Sequence, residues 1–363
     1  MKIKFLALSG TFGYDQIGGT DSYMRRLSHA LISKNYEIEW VFYDCFDQGV
    51  EERGGIKISY LGSFKDALDY CLRDHSHTLV ACYLKPFDKL KLIKLRWNPS
   101  VQLILLSFFY PDGFFTKIFR FIEAKLLKNN GIFCASKRLA DFYRKTNCKS
   151  VFLPPIIPKK YFKIGYDKAN KPTLNNPGKI RALFLGRLDP RKGISDVISL
   201  IGSPELANKV IWTVSGILIE KDVGNLEAYE ALNKNDMVNF HKENRNEYSL
   251  DVESRVLSFF AKSDYFLQPY KSLSSTVDLP LLLLEAQAAG CVVMTTLPQV
   301  LSVYMFGKSR AIAGHFVASC SDLFSERSIS GFRACQSIDD LDTLKALYCE
   351  DRVVESFRCL LNE

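Results

Sequence analysis

One carboxylate, Glu285, sits in a stretch that is otherwise mostly leucine and alanine, from Leu281 to Ala289. A charged group placed there costs free energy unless it has partners. Those partners could be an arginine or backbone amides; they could also be the two hydroxyls of a ribose, which one carboxylate can accept together. Local signals indicate how the chain presents this group. Asp278 can cap a helix, and Pro280 suits its first turn, where an amide donor is not needed. Leu281 and Leu282 open the apolar run and count, with Asp278 and Glu285, among the candidate substrate-binding positions. Gly290 ends the helix where a left-handed residue is wanted, and Val292–Met294 follow as a buried strand.

A second group lies some ninety residues earlier, in Gly186-Arg187-Leu188-Asp189-Pro190-Arg191-Lys192-Gly193, directly after an expected strand at 180–185. Gly186 lets the chain turn close to a ligand. Arg187 offers a planar fork of donors and Lys192 a compact charge, a pair suited to a diphosphate beside a helix N-terminus. In a plain solvated loop the same two cations would carry no message.

Together these two segments resemble the donor-site motifs of the retaining family-4 (group 1) glycosyltransferases of GT-B fold. Glu285, Ala286, Ala288, Gly290, Val292, Val293 and Thr295 match that family's Glu-Ala-Met-Ala-x-Gly segment and the Val-Val strand after it. Gly186–Gly193 matches its Gly-Arg-Leu…Lys-Gly segment. One departure is clear: the first Glu of the family pattern falls on Val277, and Asp278, one place later, is the nearby substitute.

The resemblance implies two doubly wound, Rossmann-like parallel-sheet domains of α/β class facing a cleft. It implies transfer of a sugar, with retention, from a UDP- or GDP-linked donor to a glycan or lipid-linked acceptor. Glu285 would then hold the ribose. Arg187 and Lys192 would stabilise the departing diphosphate, with no cofactor and no metal ligands required. Further positions come from the same comparison. Gly18-Gly19 would let backbone amides approach the diphosphate, and Gly216 closes a strand at 209–215. His241 lies where the family approaches the base, although an ordinary surface histidine would look the same. Asp112 would face the acceptor, or else cap a loop, and the family's preceding His is absent. The missing Glu at Val277 keeps a second reading open, a catalytically inactive nucleotide-sugar-binding or partner subunit.

The elements that must position these residues alternate along the chain. Strands are expected at 2–8, 37–43, 56–61, 78–84, 101–107, 131–134 and 149–153, with helices at 21–34, 64–73, 87–96, 114–128 and 136–146 between them. Such alternation argues for a parallel sheet covered on both faces. Five prolines between 154 and 177 mark a linker that neither helix nor strand survives. The expected domains are therefore 1–155 on the acceptor side, a linker at 156–177, and 178–335 for the nucleotide sugar. A tail of two helices at 336–363 would pack back towards the first domain.

Composition excludes several other classes. With 47% apolar and 24% charged residues the chain has ample core material, no leader pattern precedes the first strand, and no apolar run approaches the ~20 residues of a spanning helix. Ten scattered cysteines suggest neither a zinc site nor a disulfide framework, and so a reduced, cytoplasmic setting. Charge is shared unevenly: residues 1–176 carry +12 and residues 177–363 carry −4. Nucleic acid is not the expected partner, because no recognition module accompanies the basic half. Residues 85–130 alone carry nine Lys and Arg against three acids, among several phenylalanines. In the expected helix 114–128, Phe115, Ile118, Phe119, Ile122 and Leu126 share one face, while Lys117, Arg120 and Lys128 share another. Such a helix either lies in an anionic membrane surface on the inner leaflet or faces the core.

Overall fold

The computed structural model describes residues 1–73, 77–92, 101–109, 111, 113–126, 131–170, 179–218, 223–244, 250–271, 279–297, 314–316 and 337–361. The elements follow in chain order. Strand β1 (Lys2–Leu8), helix α1 (Gly19–Ile32), β2 (Glu37–Tyr43), β3 (Gly49–Arg53), β4 (Ile56–Tyr60), α2 (Phe64–Leu72), β5 (His77–Cys82), α3 (Pro86–Leu92), β6 (Val101–Ser107), α4 (Phe114–Leu126), β7 (Gly131–Cys134), α5 (Lys137–Arg144) and β8 (Ser150–Phe152) form the first half. After α6 (Lys159–Ala169) come β9 (Ile180–Arg187), α7 (Ile194–Ile201), α8 (Pro204–Ala207), β10 (Val210–Ile217), α9 (Val223–Asn233), β11 (Val238–Glu243), α10 (Leu250–Lys262), β12 (Tyr265–Gln268), α11 (Leu281–Ala288), β13 (Val292–Thr295) and β14 (Gly314–Phe316). Helices α12 (Ile338–Tyr348) and α13 (Glu350–Leu361) end the chain.

The chain divides into two units. The first comprises Met1–Tyr14, Thr20–Ile156 and Glu350–Glu363; the second comprises Asp15–Gly19 and Ile157–Cys349. The first holds an eight-stranded sheet of order β3-β4-β2-β1-β5-β6-β7-β8, parallel except for the antiparallel pair β3–β4. The second holds a parallel six-stranded sheet of order β11-β10-β9-β12-β13-β14. In both, strand order reverses beside the first strand, at β1/β5 and at β9/β12. Ile3–Ala7 of β1 are all buried, as a strand covered on both faces requires.

The short helices of the first unit start on local signals. Ser136 accepts a hydrogen bond from the amide of Leu139 at 3.1 Å, so α5 begins directly after β7. Ser136→Ala is expected to lower stability by about 1 kcal/mol, visible as an earlier urea midpoint at unchanged slope. An unshifted midpoint would mean that the cap contributes nothing.

Four differences from the sequence reading have physical causes. The proline-rich stretch contains helix α6, because Pro158 stands at its N-cap and Pro172 follows its end, leaving Lys159–Ala169 free of proline. α6 then packs closely on α11: a Cβ on Gly165 would lie 2.2 Å from the carbonyl oxygen of Ala288. β3 was not read from the sequence; it is a largely exposed edge strand without an apolar alternation.

The tail helices lie in different units. α12 packs on α6 and α11 in the second unit. α13 covers the first sheet, where Phe357 stacks on Phe133 at 4.6 Å and the Gln102 amide donates to the Leu360 carbonyl at 2.6 Å.

α4 turns Ile118 and Ile122 of the face read from the sequence outward, together with Phe114 and Phe121 beside them, and half-buries Phe119. Phe114, Ile118, Phe121 and Ile122 are exposed, while Glu123 and Ala124 are buried. Arg120 turns inward with that buried side, donating to Glu123 at 3.0 Å, and Lys89 donates to the same carboxylate at 3.0 Å. Lys128 lies outside the described residues.

Candidate functional site

Three segments of the second unit meet at the C-terminal ends of β9, β12 and β13. Gly186 and Arg187 end β9, and Gly186 takes φ 144°, a left-handed value that glycine accepts without strain. Asp189 then caps a short turn over Pro190–Lys192, accepting the Arg191 amide at 2.9 Å. Gly193 leaves the turn at φ 82° and starts α7. A Cβ at Gly193 would lie 1.9 Å from the Pro269 carbonyl oxygen, so this glycine is what lets the loop after β9 press against the loop after β12. The Lys271 amide donates to the Arg191 carbonyl at 2.9 Å, and the Lys271 ammonium pairs with Asp196 at 2.5 Å. The loop after β12 is tied in turn to β13: Thr295 Oγ1 donates to the Gln268 carbonyl at 2.8 Å and Thr296 Oγ1 to the Tyr270 carbonyl at 2.6 Å.

The cations are held in a definite order. Asp189 is buried and takes a two-point grip from Arg191, Nε at 3.1 Å and Nη2 at 2.9 Å. Burial pushes the Asp189 carboxyl up, but the Arg191 hydrogen bonds and the nearby Arg187 charge outweigh this and hold it below its ordinary range. Arg187 reaches Asp189 only at 3.9 Å and stays more than a third exposed, so its fork of donors is not spent on that carboxylate. Lys192 is partly buried, with its ammonium 4.6 Å from the centre of the Tyr270 ring. Burial, and then the positive charge of Arg187, lowers its pKa to about 7. A low-pKa lysine beside a partly exposed guanidinium is suited to receive an anion, whose arrival would stabilise the ammonium.

Glu285 lies on α11, 3% exposed. Pro280, expected inside the first turn, is instead the N-cap residue and makes no side-chain cap bond. The proposed cap Asp278 and the departure at Val277 lie outside the described residues. The C-terminus behaves as the residues suggest. Gly290 takes φ 72°, the Gly290 amide donates to the Gln287 carbonyl at 2.8 Å, and the Cys291 amide donates to the Ala286 carbonyl at 2.9 Å. Leu281 is buried and Leu282 partly so.

The remaining candidates are dispersed. Gly216 pairs with Gly186 across β9 and β10, and a Cβ there would lie 2.4 Å from Leu188 Cδ2, so its missing side chain makes room for Leu188. His241 is exposed on the edge strand β11, its ring 4.8 Å from that of Phe259. Gly19 begins α1 with open space about it, and Gly18 precedes it. Asp112 lies outside the described residues. Among the described residues, no group of three or more His, Cys, Asp or Glu side chains is placed to hold a metal ion.

Sequence reasoning missed Asp189 and Tyr270. Asp189-Pro190 after a strand is a legible cap-and-start signal. Nothing local announces that Tyr270 lies over Lys192.

Residues 166–304 match the family described as glycosyl transferases group 1. No curated protein matches the chain. Among solved structures, sucrose-phosphate synthase from Thermosynechococcus elongatus superposes with a TM-score of 0.68 at 14% identity, covering 99% of this chain and 98% of that one. α,α-Trehalose 6-phosphate synthase from Burkholderia multivorans gives 0.64 at 11%, with 99% and 98% covered. Anabaena HepE, solved in complex with UDP-glucose, gives 0.63 at 10%, with both chains fully covered. The two doubly wound sheets, each with its strand order reversing beside its first strand, are thus those of the GT-B fold, and residues 166–304 carry the group 1 glycosyltransferase signature.

Proposed function

We propose that the chain transfers a sugar, a hexose, from a nucleotide-sugar donor to a glycan or lipid-linked acceptor with retention. The observation that carries this reading is the meeting of Gly186–Gly193 with Gln268–Lys271 at the strand-order reversal of the second sheet. Ligands of open parallel sheets bind beyond the strand C-termini at such a reversal. There Glu285 holds the ribose, while Arg187 and Lys192 meet the diphosphate. As the sugar–phosphate bond breaks, negative charge gathers on the departing diphosphate, and the two cations with nearby amides stabilise it more strongly than the ground state. The proton of the acceptor hydroxyl goes to a phosphate oxygen, so no protein base is assigned. Neither a divalent metal nor a resident cofactor enters this scheme. Of the relatives, HepE has been solved with UDP and with UDP-glucose, which favours a uridine donor.

Val277, in place of the family's first Glu, supports one other reading, a nucleotide-sugar binder without turnover. The deciding measurement is thermal shift against a panel of UDP- and GDP-sugars, followed by turnover of the radiolabelled hit with and without EDTA. A donor at ~100 times its Kd is expected to stabilise by about 2.7 kcal/mol, with label passing to an acceptor and no loss in EDTA. Stabilisation without transfer would establish the binder; loss in EDTA restored by Mg²⁺ would overturn the metal-free scheme.

A further inference from the structure

The first unit carries an apolar face that its own core does not use. On α4, Phe114 is 73% exposed, and Ile118, Phe121 and Ile122 are each more than 40% exposed. Positions 114, 118, 121, 122 and 125 fall on one side of a helix of 3.6 residues per turn. Phe109, just before α4, is 44% exposed, and Phe87, on α3, is 79% exposed. α3 adjoins α4 through the Lys89–Glu123 ion pair. Several large apolar side chains exposed along one side of a helix mark an interaction site.

The exposed charges of α4 have one sign among the described residues. Lys117 and Lys125 are exposed on α4, and the Lys125 ammonium lies 4.8 Å from the centre of the Phe121 ring. The carboxylates of α3 and α4, Asp88 and Glu123, are both buried. Asp88 is paired with Lys91, and Glu123 with Lys89, Arg120 and the Tyr143 hydroxyl. Burial raises the Glu123 carboxyl, but the Arg120 and Lys89 charges prevail and hold it ionised, below its ordinary range. That network fixes the underside of α4 against α3 and α5, and so holds the apolar side outward.

We propose that this face docks on the surface of an anionic phospholipid bilayer, with α4 lying in the plane of the interface. Exposed rings and aliphatic side chains enter the headgroup boundary, and exposed lysines without exposed acids on the same helices complement anionic headgroups. A helix of 13 residues is about 20 Å long, too short to cross, and no described helix is long and apolar enough to span a membrane. The inference deepens the reading above, on which it rests only for its purpose: an acceptor attached to lipid would be presented to the enzyme at that surface.

The test is flotation of the full chain with vesicles of phosphatidylcholine alone, or with phosphatidylglycerol added, at low and moderate salt. The chain is expected to float with the phosphatidylglycerol vesicles, less so as salt rises. The exposed-site triple variant Phe114→Ser, Ile118→Ser, Phe121→Ser is expected to stay at the bottom while keeping its circular dichroism and its thermal shift with donor. Lys117→Ala and Lys125→Ala are each expected to lower partitioning roughly fivefold. Sedimentation of the parent chain to the bottom under all conditions overturns the proposal. So does a triple variant that floats as before, or one whose only change is loss of a dimer, which would assign the face to a second copy. Donor thermal shift is read separately, so failure of docking and failure of the donor reading remain distinguishable.

Discussion

Glu285→Ala is expected to lose donor affinity by at least about a hundredfold while the fold persists. Two hydroxyls donating to one carboxylate make charge-assisted hydrogen bonds, each contributing about 1.5–3 kcal/mol, and every 1.4 kcal/mol is a factor of ten in Kd. α11 is built of leucines and alanines, and its end is fixed by Gly290 and the carbonyls of Ala286 and Gln287 rather than by the carboxylate. A carboxylate only 3% exposed also carries a desolvation cost that its partners must offset. Without donor, the alanine protein is expected to keep the folded baseline of the parent, read by circular dichroism. Calorimetry with a nucleoside diphosphate decides the matter: unchanged affinity would remove Glu285 from the ribose, and loss of the folded baseline would make its role structural.

The second expected effect concerns Lys192 and runs with pH. In the unliganded protein its pKa is lowered to about 7, by burial first and then by Arg187. A diphosphate beside it stabilises the ammonium, so the bound value rises. Below pH 7 the lysine is already charged and affinity is full. Above pH 7 binding must take up a proton, and affinity falls by up to about tenfold per pH unit until the bound value is passed. The terminal phosphate, with its own second pKa near ~6, is fully ionised in that range and does not produce the decline. Lys192→Ala is expected to weaken the diphosphate about ten- to a hundredfold and to abolish the slope between pH 7 and 9. A parent profile that is flat from pH 7 to 9 would separate Lys192 from the diphosphate.

How much of this was legible beforehand depended on the reach of the interactions. Gly186 and Gly290 could be read because a turn and a helix end are settled by a few neighbouring residues. The grouping of Glu285 with the Gly186–Gly193 segment came from motif resemblance; what the structure adds is that β9, β12 and β13 are neighbours in one sheet. Lys192 over Tyr270 was not legible, since it depends on how two loops far apart in sequence pack. α6 was hidden by prolines that flank it without entering it. Which side of α4 lies outward stayed open for a related reason. Its sequence is apolar on more than one side, and the deciding contact is Lys89 of another helix reaching Glu123. The sequence of α4 contains both partners Arg120 and Glu123, but nothing in it says that they turn inward.

The partition of the chain has a consequence for biosynthesis. The greater part of the second unit, Ile157–Cys349, interrupts the first in sequence, and the first is completed only by Glu350 onward. α13 supplies Val353, Val354, Phe357 and Leu360 to the first unit's interior, and Leu360 lies so near Gly131 that a Cβ there would come within 2.8 Å of it. On the ribosome, residues 1–156 therefore emerge long before the helix that covers β7 and β8. Domains commonly fold in the order of their synthesis, but here the nested unit can close first. The earlier-made sheet must wait, with Phe133 lacking its partner ring, until α13 has emerged. A nascent chain stalled anywhere before Glu350 would thus expose part of its N-terminal core, and a ribosome-bound chaperone would find its client at the beginning of the protein rather than at its end.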